Sequence, residues 1–274
     1  MDYPKIIYYT DELNDEFSTA QITPRKIDGA YKYRGKGFWW FVAHVFLYRI
    51  VAFPIAFFFL KIKYRHKIVN RSVLKGFTRK PFFLYGNHTN AGADALIPSF
   101  VVHPKDAYVI VHANNVSMPF LGAINPFLGA MPLPDDMAAT KNFLDAIKLH
   151  MEKNQCIVIY PEAHIWPYCT WIRNFPDMSF RYPVQYKTPV FCFTNTYQKR
   201  RFSKTPQMVT YVDGPFYADE SLSHKEQRTA LRNMVYNTMI ERSRMNNCEL
   251  VKYLKKDTAE AVSDSADEKA TGEK

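Results

Sequence analysis

The sequence predicts an α/β domain with a mostly parallel or mixed sheet that is flanked by helices. Short, continuously apolar runs that end in turn residues recur from position 81 onward, and such runs are typical of strands buried on both faces. Segments with helical periodicity separate these runs. Hydrophobic residues make up 47% of the 274 residues, which is a globular composition with enough apolar surface for a core.

The elements follow in a regular order along the chain. The predicted strands are residues 82–85, 107–112, 156–160, 189–194 and 208–212. One helix is predicted over residues 141–153, whose apolar residues fall on one face. A second helix is predicted over residues 222–246, and it begins at a capping box formed by Ser223 and Glu226.

The composition divides the chain into four parts. Residues 1–36 form a polar N-terminal segment without the apolar stretch of a signal peptide, so no cleavable signal is expected. Residues 37–75 form an aromatic and basic helical element, and residues 76–250 form the α/β domain. Residues 257–274 hold six acidic residues and no aromatic residue, which predicts a disordered acidic tail.

The aromatic element points to a membrane. Residues 37–60 include ten aromatic residues and match the length of a bilayer span. His44, Arg49 and Pro54 interrupt this segment, and an arginine at the centre of a spanning helix costs about 2.5–3.5 kcal/mol. Basic residues lie on both sides, as expected for two cytoplasmic ends. We therefore expect a helical hairpin or an interfacial helix pair that enters one leaflet from the cytoplasmic face; a buried core helix is the alternative.

The charge distribution predicts an anionic partner. The chain has 36 Lys and Arg residues against 26 Asp and Glu residues, and residues 61–80 carry eight cations and no acid. Membrane lipids, as an anionic lipid surface, fit this pattern together with the aromatic element. A basic run at residues 198–201 has no nucleic-acid-binding motif beside it, so no nucleic acid is expected as a partner. The four cysteines lack CxxC spacing and are expected to be reduced thiols.

Two polar clusters each follow a predicted strand, where ligands of α/β sheets gather. The first contains His88 and Asp94, which suit a general base and the carboxylate that orients it. The alternative is a turn histidine followed by a helix-capping aspartate. The second contains Glu162 and His164. Glu162 is expected either to bind a polar headgroup or to organise its loop by accepting backbone N–H bonds.

Other catalytic patterns are missing from the sequence. It contains no Gly-x-Ser-x-Gly elbow, no Walker loop, no Gly-x-Gly-x-x-Gly and no His-Glu-x-x-His. This disfavours serine hydrolases, nucleoside triphosphatases, dinucleotide-binding dehydrogenases and zinc proteases of that type.

In this order, the clusters resemble the glycerolipid acyltransferases typified by 1-acylglycerol-3-phosphate O-acyltransferase. The family's Asn-His-x4-Asp block is similar to Asn87-His88 with Asp94, and its Pro-Glu-Gly-Thr-Arg block to Pro161-Glu162. A weaker second block lies at residues 120–132, and the Val-Pro block resembles residues 188–190. The membrane element before the domain also fits, so the resemblance covers about residues 37–215 and implies the acyltransferase fold.

The chain departs from the family pattern at several positions. Five residues separate His88 from Asp94 instead of four, and we expect a one-residue bulge near Gly92 to restore their contact. Ala163, His164 and Ile165 replace the glycine, threonine and arginine of the third block, and the second block lacks its arginine. Those arginines are associated with the acceptor phosphate in the family.

The resemblance implies a membrane-associated O-acyltransferase of phospholipid biosynthesis. His88 would deprotonate an acceptor hydroxyl while Asp94 orients its ring. The acyl donor would be acyl-CoA or acyl-carrier protein, with no metal and no further cofactor. Asn87, Glu162 and His164 are expected to bind substrate. Arg181 is expected to take over the anion contact of the missing arginines, with Arg173 and Lys187 as the alternatives. A catalytically silent lipid-binding protein that retained the fold is the alternative, as is a basic nucleic-acid-binding protein.

Overall fold

The computed structural model describes residues 4–18, 22–33, 35 and 37–256. The strands are β1 (Lys5–Tyr9), β2 (Lys67–Val69), β3 (Phe82–Gly86), β4 (Ala107–Val111), β5 (Ala130–Pro132), β6 (Cys156–Ile159), β7 (Val190–Arg200), β8 (Ser203–Phe216) and β9 (Val251–Lys255). The helices are α1 (Phe38–Val45), α2 (Phe53–Tyr64), α3 (Ala91–Asp94), α4 (Ile97–Val102), α5 (Leu121–Ile124), α6 (Met137–Glu152), α7 (Arg181–Tyr186) and α8 (His224–Ser243). The predicted acidic tail lies outside the described residues.

A seven-stranded mixed sheet with the order β2-β8-β7-β3-β6-β4-β5 forms the centre of the molecule. Its neighbouring strands pair in parallel, except for β7 and β8, which are antiparallel. The predicted strands are confirmed as β3, β4, β6, β7 and β8. The last two are much longer than predicted, because they continue through a hairpin beyond the apolar runs.

Helices cover both faces of the sheet. Alternate residues of β3 point to opposite faces, so Phe83 and Tyr85 join one core cluster and Phe82 and Leu84 the other. The first cluster includes side chains of α6, α7 and α8, and the second includes side chains of α2, α3 and α4. This three-layer arrangement confirms the predicted α/β class, with a mixed sheet flanked by helices.

The aromatic element forms one continuous helix, so the prediction of a helical hairpin was wrong. Helices α1 and α2 are joined by a π-helical segment, Phe46–Ala52, and the whole helix runs over Phe38–Tyr64. Pro54 lies in the first turn of α2, directly after the π-helical segment. A change in hydrogen-bonding pattern at this point accommodates the missing N–H of proline without ending the helix. With 27 residues, the helix is long and apolar enough to cross a membrane.

Three polar residues of this helix contact the domain. His44 Nε2 lies 3.4 Å from Asp106 Oδ2, and an Arg49 guanidinium nitrogen donates to Asp106 Oδ1 at 2.8 Å. The Tyr48 hydroxyl hydrogen-bonds Ser99 at 2.8 Å. Only 17% of the most apolar window of the helix is buried, which contradicts the alternative of a buried core helix. The large apolar residues that it exposes are Phe38, Trp39, Phe41, Val42, Phe46, Ile50, Ile55, Phe57, Phe58 and Ile62.

The N-terminal segment is joined to the C-terminal end of the described chain. Strand β1 pairs in parallel with β9 as a separate two-stranded sheet. Phe17 packs against Trp166 and Tyr253 in a third core cluster. This segment therefore lies against the loop that follows β6, an arrangement that the sequence analysis did not predict.

Candidate active site

The two polar clusters meet at one edge of the sheet. His88 follows β3 and Glu162 follows β6, and these strands are neighbours that pair in parallel. Both loops therefore leave the carboxyl edge side by side, where ligands of α/β sheets bind.

Asp94 is fully buried and fixes the His88 ring. Its Oδ2 lies 2.9 Å from His88 Nδ1 and also accepts the backbone N–H groups of Thr89 and Asn90, each at 2.8 Å. The contact arises from a helical turn, α3, which Asn90 caps by accepting the Ala93 N–H at 3.0 Å. The expected bulge near Gly92 is therefore absent, and the helical turn absorbs the additional residue.

Asn195 supports the second oxygen of Asp94, and the sequence analysis missed it. Its Nδ2 donates to Asp94 Oδ1 at 3.2 Å, and its Oδ1 accepts the Thr210 hydroxyl proton at 2.6 Å. The Thr210 oxygen lies 2.8 Å from His66 Nε2, so this histidine nitrogen must be the donor. All four residues are buried. Burial, with a smaller contribution from the Lys61 ammonium, lowers the pKa of His66 to about 4.

One face of the His88 ring packs against an aromatic residue, and the ring nitrogen Nε2 is available to a substrate. It stacks on Tyr160 with ring centroids 4.5 Å apart, and the Tyr160 hydroxyl donates to the Asp94 carbonyl. Burial, and then the Asp94 charge, raises the pKa of Tyr160 well above its usual value, so the hydroxyl stays a donor. The His88 side chain is 18% exposed. Among the described residues, none hydrogen-bonds to its Nε2. With Nδ1–H directed at the carboxylate, Nε2 carries the lone pair that can take a proton.

Glu162 organises the His88 loop. Its Oε2 accepts the His88 backbone N–H at 2.8 Å, and its Oε1 accepts the Arg173 backbone N–H at 3.0 Å. An Arg173 guanidinium nitrogen also lies 3.2 Å from Oε2, and both side chains are almost completely buried. Both carboxylate oxygens thus have protein partners. This agrees with the expectation that Glu162 organises its loop, and it differs from the expectation that Glu162 binds a headgroup.

The Asn87 side chain also hydrogen-bonds within the protein. It is buried, its Nδ2 donates to the Asn195 carbonyl at 3.0 Å, and its Oδ1 accepts the Asn195 N–H at 2.8 Å. The side chain therefore ties the end of β3 to β7, which differs from the predicted contact with substrate.

His164 and Arg181 do not join this site. His164 Nδ1 lies 3.1 Å from a Glu16 carboxylate oxygen of the N-terminal segment. Arg181 is exposed and donates to the hydroxyl of Tyr182 at 2.8 Å. Tyr182 packs in the core cluster of α6, α7 and α8, whereas α3 with Asp94 packs on the opposite face of the sheet. The predicted acceptor contact of Arg181 is therefore not supported by its position.

A metal site does not emerge from the described part of the chain, in which no three or more His, Cys, Asp or Glu residues are grouped to hold an ion. The four cysteines are free thiols. The contact of His88 Nδ1 with Asp94 suits this histidine to moving a proton between its Nε2 and a bound hydroxyl.

Comparison with known proteins relates this site to one family. A family model described as acyltransferase matches residues 62–194, which contain both polar clusters. The crystal structure of the 1-acyl-sn-glycerophosphate (LPA) acyltransferase PlsC from Thermotoga maritima is similar to the chain, with a TM-score of 0.50 and 14% sequence identity. The match covers 76% of this chain and 94% of that chain. No curated protein matches the chain. Residues 62–194 therefore match an acyltransferase family model, and the fold of the chain is similar to that of PlsC.

Proposed function

We propose that the chain is a membrane-associated O-acyltransferase that acylates a hydroxyl of a lysophospholipid-like acceptor. The donor is the thioester of acyl-CoA or of acyl-carrier protein. The observation that carries the proposal is the 2.9 Å contact between His88 Nδ1 and the buried Asp94 carboxylate, which leaves Nε2 open. The acyltransferase family match and the likeness to PlsC support this class of reaction.

The proposed reaction requires one proton relay. His88 Nε2 takes the proton of the acceptor hydroxyl as its oxygen attacks the thioester carbonyl. The carbon–sulfur bond then breaks, and the imidazolium returns the proton to the departing thiolate. Asp94 holds the ring in the required tautomer and stabilises the imidazolium.

The acceptor is proposed by chemical class only. PlsC is a 1-acyl-sn-glycerophosphate (LPA) acyltransferase, which supports a glycerolipid acceptor. In the family, two arginines are associated with the acceptor phosphate, and this chain lacks both of them. Ile165 stands in place of the arginine of the third block. An acceptor without a phosphate monoester is therefore included in the proposal.

We further propose that the long helix lies in one leaflet on the cytoplasmic face. Its His44 and Arg49 side chains contact the domain through Asp106, while its opposite side exposes large apolar residues. Membrane-surface helices have this division between two faces. A crossing would require these polar contacts to break, which favours attachment at the surface.

The test measures thiol release by the detergent-solubilised full chain. Acyl-CoA, and in parallel acyl-carrier protein, is supplied with a panel of lysophospholipids, monoacylglycerol and glycerol 3-phosphate. We expect acceptor-dependent release with one donor, and its loss in His88→Ala by about 10²–10⁴-fold. Vesicle binding by this variant should equal that of the wild type.

Two results would reject the proposal. Full activity in His88→Ala would exclude His88 as the base. Lipid binding without thioester consumption, with either donor and every acceptor, would instead support the silent lipid-binding protein.

A further inference from the structure

The hairpin between β7 and β8 ends in a basic tip. We use this name for residues 199–204, whose sequence is KRRFSK. Arg200 pairs with Ser203, so only Arg201 and Phe202 form the turn. The Phe202 side chain is 89% exposed, whereas the first eight residues of β7 are all buried. The basic tip therefore projects beyond the core of the sheet.

The basic tip is fixed to the C-terminal end of the long helix. A guanidinium nitrogen of Arg200 donates to the Lys63 carbonyl at 3.2 Å. Further along β8, the Gln207 side chain donates to the Arg65 carbonyl at 2.9 Å. The hairpin and the last turn of the helix thus form one contiguous surface.

This surface is basic and apolar at the same time. The helix end contributes Lys61, Lys63 and Arg65, and it exposes Ile62. Neither contributing segment contains an acid: the chain has none between residues 29 and 93, and none between residues 178 and 212. Cations that surround exposed apolar side chains are the arrangement by which proteins bind anionic lipid surfaces.

We propose that the basic tip is a second membrane-contact site that inserts Phe202 into an anionic leaflet. The cations of the tip and of the helix end bind the lipid phosphates around it. Together with the apolar face of the helix, this second contact fixes the tilt of the domain on the membrane. The inference rests on the membrane attachment proposed above, and not on the reaction.

A lipid surface fits these residues better than a nucleic acid. Cations would contact the phosphates of either partner, and an aromatic ring can stack on a base. Ile62 beside the tip cannot stack, and it continues into the exposed apolar face of the helix, which includes Phe58 and Ile55. An apolar face of this length can be buried among acyl chains, whereas a sugar–phosphate backbone would leave it exposed to water.

A fluorescent label at the tip tests insertion. The variant Phe202→Cys in the full chain is labelled with an environment-sensitive fluorophore and mixed with phosphatidylcholine vesicles with or without phosphatidylglycerol. We expect a blue shift with the anionic vesicles, and quenching by lipids that carry a nitroxide on the acyl chain. The wild type, treated identically, controls for labelling of Cys248, the one native cysteine that is not buried.

Partition measurements test the contribution of the tip. The variant Phe202→Ser with Arg201→Ala should bind anionic vesicles about tenfold more weakly, since it loses both a cation and the inserted aromatic ring. A matched control, Tyr217→Ser with Lys225→Ala, removes an exposed aromatic residue and a cation beyond the other end of β8. The control should bind as the wild type does.

A measurement of activity in detergent distinguishes a failure of this inference from a failure of the proposed function. Thiol release in detergent micelles should be equal for the tip variant and the wild type, because the tip lies outside the His88 site. A label that stays in water while the wild type binds vesicles, or equal partition of the tip variant and the wild type, would overturn the inference. Salt-sensitive RNA binding that is lost in the tip variant, without any vesicle binding, would also overturn it.

Discussion

At the scale of single residues, two contacts hold the His88 ring and a third holds its backbone. Asp94 contacts Nδ1, the Tyr160 ring stacks on one face, and Glu162 accepts the backbone N–H. A base whose ring is already oriented loses little freedom when substrate binds, which is how positioning lowers a barrier.

Replacement of Asp94 by asparagine should separate orientation from folding. Asp94→Asn keeps an oxygen that can accept the Thr89 and Asn90 N–H groups, so α3 should persist. The amide cannot stabilise the imidazolium, and we expect kcat to fall by about 10²–10⁴-fold with little change in KM. Steady-state thiol release would measure this, and a kcat near the wild-type value would show that the carboxylate is only structural.

The buried pair of Glu162 and Arg173 should matter for stability. Arg173→Met leaves the Glu162 carboxylate buried without its guanidinium, which we expect to lower the free energy of unfolding by about 3–5 kcal/mol. The double variant with Glu162→Gln should regain part of that loss. The exposed pair of Lys187 and Glu220 gives a matched control, because Lys187→Met should cost less than about 1 kcal/mol.

Urea unfolding followed by circular dichroism would measure these differences. Equal losses for Arg173→Met and Lys187→Met would contradict a stabilising role for the buried pair.

The sequence could predict the site residues that lie close together in the chain, and few of the others. His88 and Asp94 share one loop, so their types and spacing were sufficient. Asn195 and His66 reach the site only through the pairing of β7, β8 and β2, which no local pattern specifies. A signal did exist for Asn195, since it lies in a run of three polar residues, 194–196, that directly follows the apolar residues 190–193 of the same strand.

At the scale of elements, the long helix shows how tertiary contacts overrode a sequence-based expectation. His44, Arg49 and Pro54 indicated a break between two helices. In the structure, the Asp106 carboxylate lies in another part of the chain and binds the side chains of His44 and Arg49. A π-helical segment accommodates the proline. These partners are distant in sequence. Hydropathy could therefore predict where the helix lies, but it could not predict that the helix is unbroken.

Asp106 should control how firmly the helix is docked. Asp106→Ala removes the contacts to His44 and Arg49, and each such bond contributes about 0.5–1.5 kcal/mol or more. We expect amide hydrogens of residues 38–64 to exchange about tenfold faster, as detected by mass spectrometry. The exposed Asp145 on α6 supplies the control Asp145→Ala. Unchanged exchange in Asp106→Ala would show that apolar contacts alone hold the helix.

At the scale of the whole molecule, the parallel strands determine which loops meet. The order β3-β6 brings the loops of His88 and Glu162 together, although 73 residues of chain lie between these two positions. Alternating apolar strands and helices predicted this class of fold from sequence. The pairing of β1 with β9 was not predictable, because it joins the two ends of the described chain and no local pattern specifies such a distant partner.

Stability should depend on pH through His66. Its pKa falls from about 6.5 to about 4 on folding, because burial disfavours the charged ring. Between these values the unfolded chain binds one more proton than the folded protein, so acidification favours unfolding. The contribution of His66 is complete above about pH 6.5 and declines as the pH falls toward 4. We expect a loss of about 2 kcal/mol between pH 7 and pH 5.

Denaturant unfolding at these two pH values would measure the loss. His66→Gln keeps a donor for Thr210 without a titrating ring, so its stability should vary less with pH than that of the wild type. Equal pH dependence in both proteins would contradict the assignment to His66.

Detection of the acylated product tests whether His88 and Asp94 carry out acyl transfer. Wild-type protein and His88→Ala would be incubated with an isotopically labelled acyl thioester and the lipid acceptor panel, and new ester would be identified by mass spectrometry. We expect a labelled, acylated acceptor with the wild type and none above background with the folded variant. Equal product from both proteins would contradict the claim.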